Sequence, residues 1–478
     1  MGWFEIDPAE GDWNKLSAHH LQSQSIIAAR AITKPRTPTG FVSEPPPFLP
    51  LHASTPATRT INFAPTSPFK TFTGSTALRL AVIGAGVVGV TTAYELTEDG
   101  HEVTVFERHN TAAEGASFAN GGLIAPEWIA AQAAAAWRSD QATGFRALWR
   151  SVRAGKAPRH ANPAPGLLHL ARYSSERLIA LTEQHQLTLD SHQGLLILWR
   201  SEREAVLAQS MQTEIREMGG ECALLEAAQA RDLESALNAE TAFHSALLVP
   251  DAWSANCRQF TLHLRAMAQQ RGCQFEFDTT VLGLEIGNGV QIVTAGPARG
   301  AHRFDGVVVC AGPASEELLR PLGLRVPLHT LQGHSLSAAV REPLDAPLSV
   351  VHDHRLQVTM ARMGQRVRVS STGHHGQATE KSPKEIKKLY AALNDWFPGS
   401  IRLGGAANVQ EWSSTVVVTP DGLPVLGHAG LPGVWLNLGH GVHGWTMACA
   451  SARAIADQVA GQSPALELAP YNPGRFDH

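Results

Sequence analysis

Leu80-Ala81-Val82-Ile83-Gly84-Ala85-Gly86-Val87-Val88-Gly89 decides the reading of this chain. The first four residues form the short apolar run of a strand buried on both faces. A GxGxxG turn follows, and a helix is expected from about Val87 to Glu98, ending near Asp99-Gly100. His101-Glu102-Val103-Thr104-Val105-Phe106-Glu107 then reads as a second strand that ends in an acid. Each glycine has its own reason. Gly84 permits the tight turn, Gly86 lets backbone approach a pyrophosphate, and Gly89 lets the helix pack close to the strand. The helix start supplies N–H donors and positive potential, and Val87 and Val88 carry the first of those donors. Glu107 is placed to accept bonds from ribose hydroxyls. A lone glycine turn is weak, but strand, turn, helix, strand and acid occur here in the required order. Arg108 follows the acid as a further nucleotide-side candidate, although an acid at the strand tip disfavours a 2′-phosphate.

Upstream of this unit the character differs. Residues 1–77 hold nine prolines between Pro35 and Pro68, many Ser and Thr, and no hydrophobic periodicity. Such a segment buries too little to offset its ordering entropy, and is expected to be extended or disordered. From Trp13 to Leu80 the only acid is Glu44, as in a transit peptide. Glu5, Asp7, Glu10 and Asp12 at the start run against that reading. A targeting segment, a linker and a misplaced start codon all stay open.

Composition narrows the function classes. The 478 residues carry 39 Lys+Arg and 43 Asp+Glu, a net charge of −4, which argues against a polybasic nucleic-acid or membrane-surface protein. Apolar stretches break before the roughly 18 residues of a membrane span, so none is expected. The five cysteines are scattered without a CxxC pair, which disfavours a disulfide framework or a cysteine zinc site. There is no HExxH. The one HxH, His352-Asp353-His354, has no further ligand at a telling spacing, so no metal is expected.

Beyond the second strand, Ala116-Ser117-Phe118-Ala119-Asn120-Gly121-Gly122 is a small-residue loop, suited to pressing its backbone against a flat ring. Near the C-terminus stands Thr419-Pro420-Asp421-Gly422-Leu423-Pro424. It is followed by Asn437-Leu438-Gly439-His440-Gly441-Val442-His443-Gly444-Trp445-Thr446-Met447-Ala448. With these motifs the chain resembles the D-amino-acid dehydrogenase family, within the FAD-dependent amine and amino-acid oxidoreductases, from about Leu80 to Phe476. The resemblance implies FAD, with Ser117, Asn120, Gly121, Gly122 and Gly312 near the cofactor. It also implies that Gly439, Gly441, Val442, Gly444 and Trp445 surround the ring, where N–H groups at a helix start stabilise charge on the reduced flavin.

The implied fold is α/β: an FAD-binding Rossmann-like domain interleaved with an α+β substrate domain built on a large antiparallel sheet. The expected FAD-binding segments are 78–130, 245–323 and 405–478, and the substrate segments are 131–244 and 324–404. Helices are expected from Gly166 to Glu183, Ser201 to Met218 and Ser382 to Trp396. A hairpin is expected across Gly287-Asn288-Gly289, and strands from Leu356 to Ala361 and Gln365 to Ser371.

The resemblance implies a dehydrogenase that oxidises a D-amino acid or related amine to an imine, which then hydrolyses. The electron acceptor stays open, a quinone among the candidates. The location implied is cytoplasmic, free or peripheral to the inner face of a membrane. The substrate pocket departs from the family. Where relatives carry an arginine in W-x-G-x-R-P, this chain has Trp412-Ser413-Ser414-Thr415-Val416-Val417, with Val416 at the arginine position. A tyrosine of the D-E-x-Y-K strand becomes Leu356, and Ser370-Ser371-Thr372-Gly373-His374 replaces a Gly-rich run ending in Glu. His443, Arg355 and Arg362 are candidate replacements for the missing cation, with a solvated role as the plainer reading of each. A non-carboxylate amine as substrate and a non-catalytic FAD-binding relative are the alternatives.

Overall fold

The computed structural model describes residues 77–142, 162–371, 374–375, 382–402 and 409–476. The expectation for 1–77 therefore falls outside the described residues, Ala77 apart, as do Thr372 and Gly373. In chain order, β1 (Arg79–Ile83) leads into α1 (Val87–Glu98), β2 (Glu102–Phe106), β3 (Leu123–Ile124), α2 (Pro126–Ala142) and α3 (Ala164–Gln184). There follow β4 (Ser191–Trp199), α4 (Glu202–Glu217), β5 (Ala223–Glu226), β6 (Ser245–Ala255) and α5 (Cys257–Gln270). Next come β7 (Gln274–Glu276), β8 (Thr280–Gly287), β9 (Gly289–Ala295), β10 (Gly300–Phe304) and β11 (Gly306–Val309). The remainder is β12 (His329–Ala339), β13 (Val350–Asp353), β14 (Val358–Met363), β15 (Arg366–Ser371), β16 (His374–His375), α6 (Pro383–Trp396), β17 (Val409–Val418), β18 (Val425–His428), β19 (Val434–Leu438) and α7 (Gly444–Val459).

The first sheet has the order β18-β19-β11-β1-β2-β7. All its neighbours pair parallel except β18 with β19. Alternation explains its two cores. Leu80, Val82 and Val308 point toward α1, α5 and α7, where Val90, Phe260, Leu264 and Ile455 are buried. Ala81, Ile83, Val307 and Val309 point the other way, onto Leu284, Val290, Ile292 and Phe304 of the three-stranded β8–β10 sheet. A strand covered on both faces is apolar throughout, as the run at Leu80 indicated.

The second sheet follows the path β16-β12-β15-β14-β13-β4-β6-β3, with β17 added on β12 and β5 on β6. It is antiparallel except where β13 meets β4. Val351, Val358, Met360, Val367 and Val369 of one face meet Ile386, Leu389, Leu393 and Trp396 of α6. That helix starts at Pro383 with Ser382 as its N-cap. The other face carries Leu195, Ile197 and Val350 against Trp128 and Ile129 of α2.

Two expectations are corrected here. Strands β3, β6 and β17 join the large sheet, although they fall within the segments assigned to FAD binding. Alternation marks a strand but not its partner, and β17 pairs along β12 from His329↔Val418 to Ala338↔Val409. The strand expected from Leu356 begins only at Val358. Residues 354–357 form a turn, because Asp353 Oδ1 accepts from Leu356 N–H at 3.0 Å and Gln357 takes a φ of +53°. Asp353 is itself fixed, since Arg200 and Trp396 Nε1 donate to its Oδ2 at 2.7 and 2.8 Å. Among the described residues no helix is long and apolar enough to cross a membrane, and no group of three or more metal-ligating side chains occurs.

Candidate functional site

Both sheets open on one cavity of about 990 Å³. This lies at the upper end of the roughly 300–1,000 Å³ typical of ligand sites. On the side of the parallel sheet it is lined by Gly84, Gly86, Val87, Val88, Glu107, Arg108 and Gly312. Glu107 is buried, and its carboxylate accepts from Ala85 N–H at 2.7 Å and from His109 N–H at 3.0 Å. Helix α1 has no side-chain cap at Gly86, although Ser117 Oγ accepts from Val87 N–H at 2.9 Å. Gly89 does not line the cavity. A Cβ there would stand 1.8 Å from Gly84 O, so its role is to let the helix lie on the turn.

Ser117, Asn120, Gly121 and Gly122 line the same cavity, and the loop that holds them is tied down from two sides. Trp445 Nε1 donates to Gly122 O at 3.0 Å, and Arg368 Nη1 donates to Asn120 O at 3.3 Å. Phe118 is stacked on Trp412 with ring centroids 4.2 Å apart. Gly439, Gly441, Val442, His443, Gly444 and Trp445 form another stretch of wall. Helix α7 begins there with no side-chain cap. Two helix starts whose N-cap residues supply no side-chain cap thus open on one space, which favours a ligand with negative or partly negative groups at both ends. These features fit a flavin dinucleotide.

The large sheet forms the remaining wall. One cross-strand row runs His352↔Thr359↔Ser370↔Ser335↔Trp412, and all five residues line the cavity. Val416 lines it too. Leu356, Arg355 and Arg362 do not. Leu356 packs against the core under α6. Arg355, in the turn, is paired with Glu204 at 2.6 Å, and Arg362 Nε donates to Gly364 O at 2.9 Å. Arg355 and Leu356, expected at the substrate pocket, stay off the cavity because they lie in the turn that precedes β14. Among the described residues the cavity is lined by no arginine or lysine except Arg108, on the side of the parallel sheet.

Several lining groups are held neutral. Burial pushes His440 down to about 3 and His443 down to about 4. His352 is also held at about 4, chiefly by burial, with the neighbouring His354 adding to the effect and Asp353 opposing it. Cys310, on the cavity wall, is pushed up to about 12 by burial and remains a thiol. Arg368, on the same face of β15 as Ser370 but not itself lining the cavity, is lowered to about 10 by burial and is still a cation at neutral pH. Thr359 and Arg368 escape a reading of the sequence, and His352 enters it only as part of an HxH, because cross-strand neighbours are distant in the chain.

A family model described as FAD dependent oxidoreductase matches residues 79–458. The chain is 33% identical over 421 residues to the D-amino acid dehydrogenase of Cereibacter sphaeroides, covering 84% of this chain and 95% of that protein. With the D-amino acid dehydrogenase of Phenylobacterium zucineum the identity is 32% over 422 residues, covering 82% and 96%. Among solved structures, glycine oxidase from Geobacillus kaustophilus matches with a TM-score of 0.67 at 20% identity, covering 83% of this chain and 98% of that one. L-proline dehydrogenase from P. horikoshii gives 0.65 at 17% identity, covering 84% and 98%. At these identities the structural likeness concerns the fold.

Proposed function

The chain belongs to the FAD dependent oxidoreductase family, and from that premise we propose that it is a dehydrogenase of a D-amino acid or closely related amine. The carrying observation is the single cavity onto which two glycine-rich helix starts and the large sheet all open. FAD, when bound, supplies a two-electron acceptor for a hydride from the carbon that bears the amine, leaving an imine to hydrolyse. In this reading the start of α1 receives the pyrophosphate and Glu107 the ribose. Gly439, Gly441, Val442, Gly444 and Trp445 hold the ring end, with Ser117, Asn120, Gly121, Gly122 and Gly312 beside the cofactor. Gly89 contributes by packing. The N–H groups at the start of α7 favour electron-rich pyrimidine oxygens. The large sheet orients the substrate and excludes water. His443, half-buried and held neutral, offers a hydrogen bond and no charge.

A second reading, an amine without a free carboxylate, is favoured by Val416 and by the absence of Arg and Lys from the sheet wall among the described residues. A carboxylate buried there would lack the forked partner that normally holds it. The dehydrogenase names of the curated relatives favour an acceptor other than oxygen, a quinone among the candidates. The test is anaerobic bleaching of the bound flavin by a panel of D-amino acids, N-methyl amines and amino-acid derivatives. Bleaching by at least one amine is expected. Purified protein that takes up no FAD, or whose flavin no amine reduces, would overturn the reading.

A further inference from the structure

The hairpin of β13 and β14 brings His352, Gln357 and Thr359 to the cavity. His352 is 1% exposed, and among the described residues its Nε2 has no hydrogen-bond partner. Its Nδ1 lies 2.9 Å from Thr359 Oγ1, and Trp128 meets the ring edge-on at 5.1 Å. Buried polar atoms are nearly always satisfied, so an orphaned ring nitrogen in a residue that lines a ligand cavity points to a partner supplied by the ligand. Gln357 adds an independent sign. It is a non-glycine residue at a φ of +53°, and strain of that kind is concentrated at binding and catalytic sites.

Resting on the dehydrogenase reading above, we propose that His352 is a specificity-determining residue that binds an uncharged amide group of the substrate, so that the preferred substrate is an amine bearing a carboxamide in place of a free carboxylate. The chemistry of the wall selects this class. A carboxylate needs a cation, and no described arginine or lysine reaches this wall. A carboxamide needs only dipoles, and it satisfies either tautomer of the ring. With Thr359 O–H donating to Nδ1, the proton sits on Nε2 and is offered to the amide carbonyl. With Nδ1–H donating to Thr359, Nε2 accepts from the amide NH₂. Burial keeps the imidazole uncharged at neutral pH, consistent with a role as a dipole.

Two measurements on the flavin-loaded full chain test this. In the first, propionamide and propionate, which carry no amine to oxidise, are titrated against the visible absorbance of the bound flavin. Propionamide is expected to perturb the spectrum at concentrations at least tenfold below those needed with propionate. His352→Phe should weaken the propionamide response roughly three- to tenfold, the worth of one neutral hydrogen bond. His352→Gln should restore part of it, and flavin content should stay unchanged. Should His352→Phe fail to fold, Thr359→Val, which removes the group orienting the ring, should weaken the same response. In the second measurement, D-alaninamide should bleach the flavin at lower concentration than D-alanine. Equal or tighter binding of propionate, or a propionamide response indifferent to both His352 variants and to Thr359→Val, would overturn the inference while leaving the dehydrogenase reading intact. Flavin that no amine bleaches would overturn that reading, and the inference with it.

Discussion

Gly122 shows how little room a single residue has at the join of the two sheets. Its φ is +69°, and a Cβ there would stand 2.7 Å from Ala255 O and 2.2 Å from Met363 Cε. The methionine tip can move, but the carbonyl belongs to a strand. The Gly122 carbonyl accepts from both Ala255 N–H and Trp445 Nε1. Gly122→Ala is therefore expected to cost about 2 kcal/mol or more from left-handed strain and overpacking. It should also weaken FAD binding at least tenfold, read by fluorescence titration. A variant with wild-type affinity and thermal midpoint would refute this. Residues of this kind are legible in a sequence, because two consecutive glycines in a small-residue loop report a backbone demand. The resemblance likewise names Val416 and His443 as pocket candidates, and both line the cavity. It does not name His352, whose meaning arises only when β13 pairs with β14 and sets it beside Thr359.

Helices α1, α3 and α7 are joined at one buried carboxylate. Glu95 is 2% exposed, and it accepts from Arg177 of α3 through Oε1 and from Arg453 of α7 through Oε2, the latter at 2.9 Å. Arg453 is held further by Asp99, the C-cap of α1, and by Asp457 at 2.8 Å, whereas Arg177 leans mainly on Glu95. Replacing Glu95 by Leu strands Arg177 in a largely buried place. The expected loss is about 2–4 kcal/mol, allowing for the partial exposure of the guanidiniums, measured by urea denaturation of the flavin-loaded protein. Adding Arg177→Met should recover part of that loss, because the unpaired charge goes with it. A loss under about 1 kcal/mol for Glu95→Leu, or no recovery in the double variant, would show that the cluster is not what clamps the helices. At this scale the sequence was informative about elements and poor about their company. Apolar periodicity located α3, α4 and α6 to within a few residues. It could not tell that β6 and β17 leave the first sheet for the second, since a strand's pattern records which faces are covered and not by what.

Across the whole molecule, each sheet has its own packed core. Leu80, Val82 and Phe260 belong to one, and Val351, Met360 and Trp396 to the other. Between them lies the cavity of about 990 Å³, lined from both sheets and bridged by the 116–122 loop and the start of α7. Interior voids of this size forfeit contacts that a well-packed chain would make. A bound dinucleotide would restore them, and would connect the two sheets across the cavity. Any ligand that binds only the folded chain stabilises it by mass action, by about 2.7 kcal/mol at a hundredfold excess over Kd. Removal of FAD is therefore expected to lower the thermal midpoint, and re-addition to restore it in proportion to the logarithm of FAD concentration. Because the two cores do not depend on the ligand, the far-ultraviolet circular dichroism below the transition should hardly change. Differential scanning calorimetry across a FAD series checks the first expectation, and dichroism of the stripped protein checks the second. A midpoint indifferent to FAD would mean that the cofactor does not join the two sheets. Loss of secondary structure on stripping would mean that the cores do not stand alone.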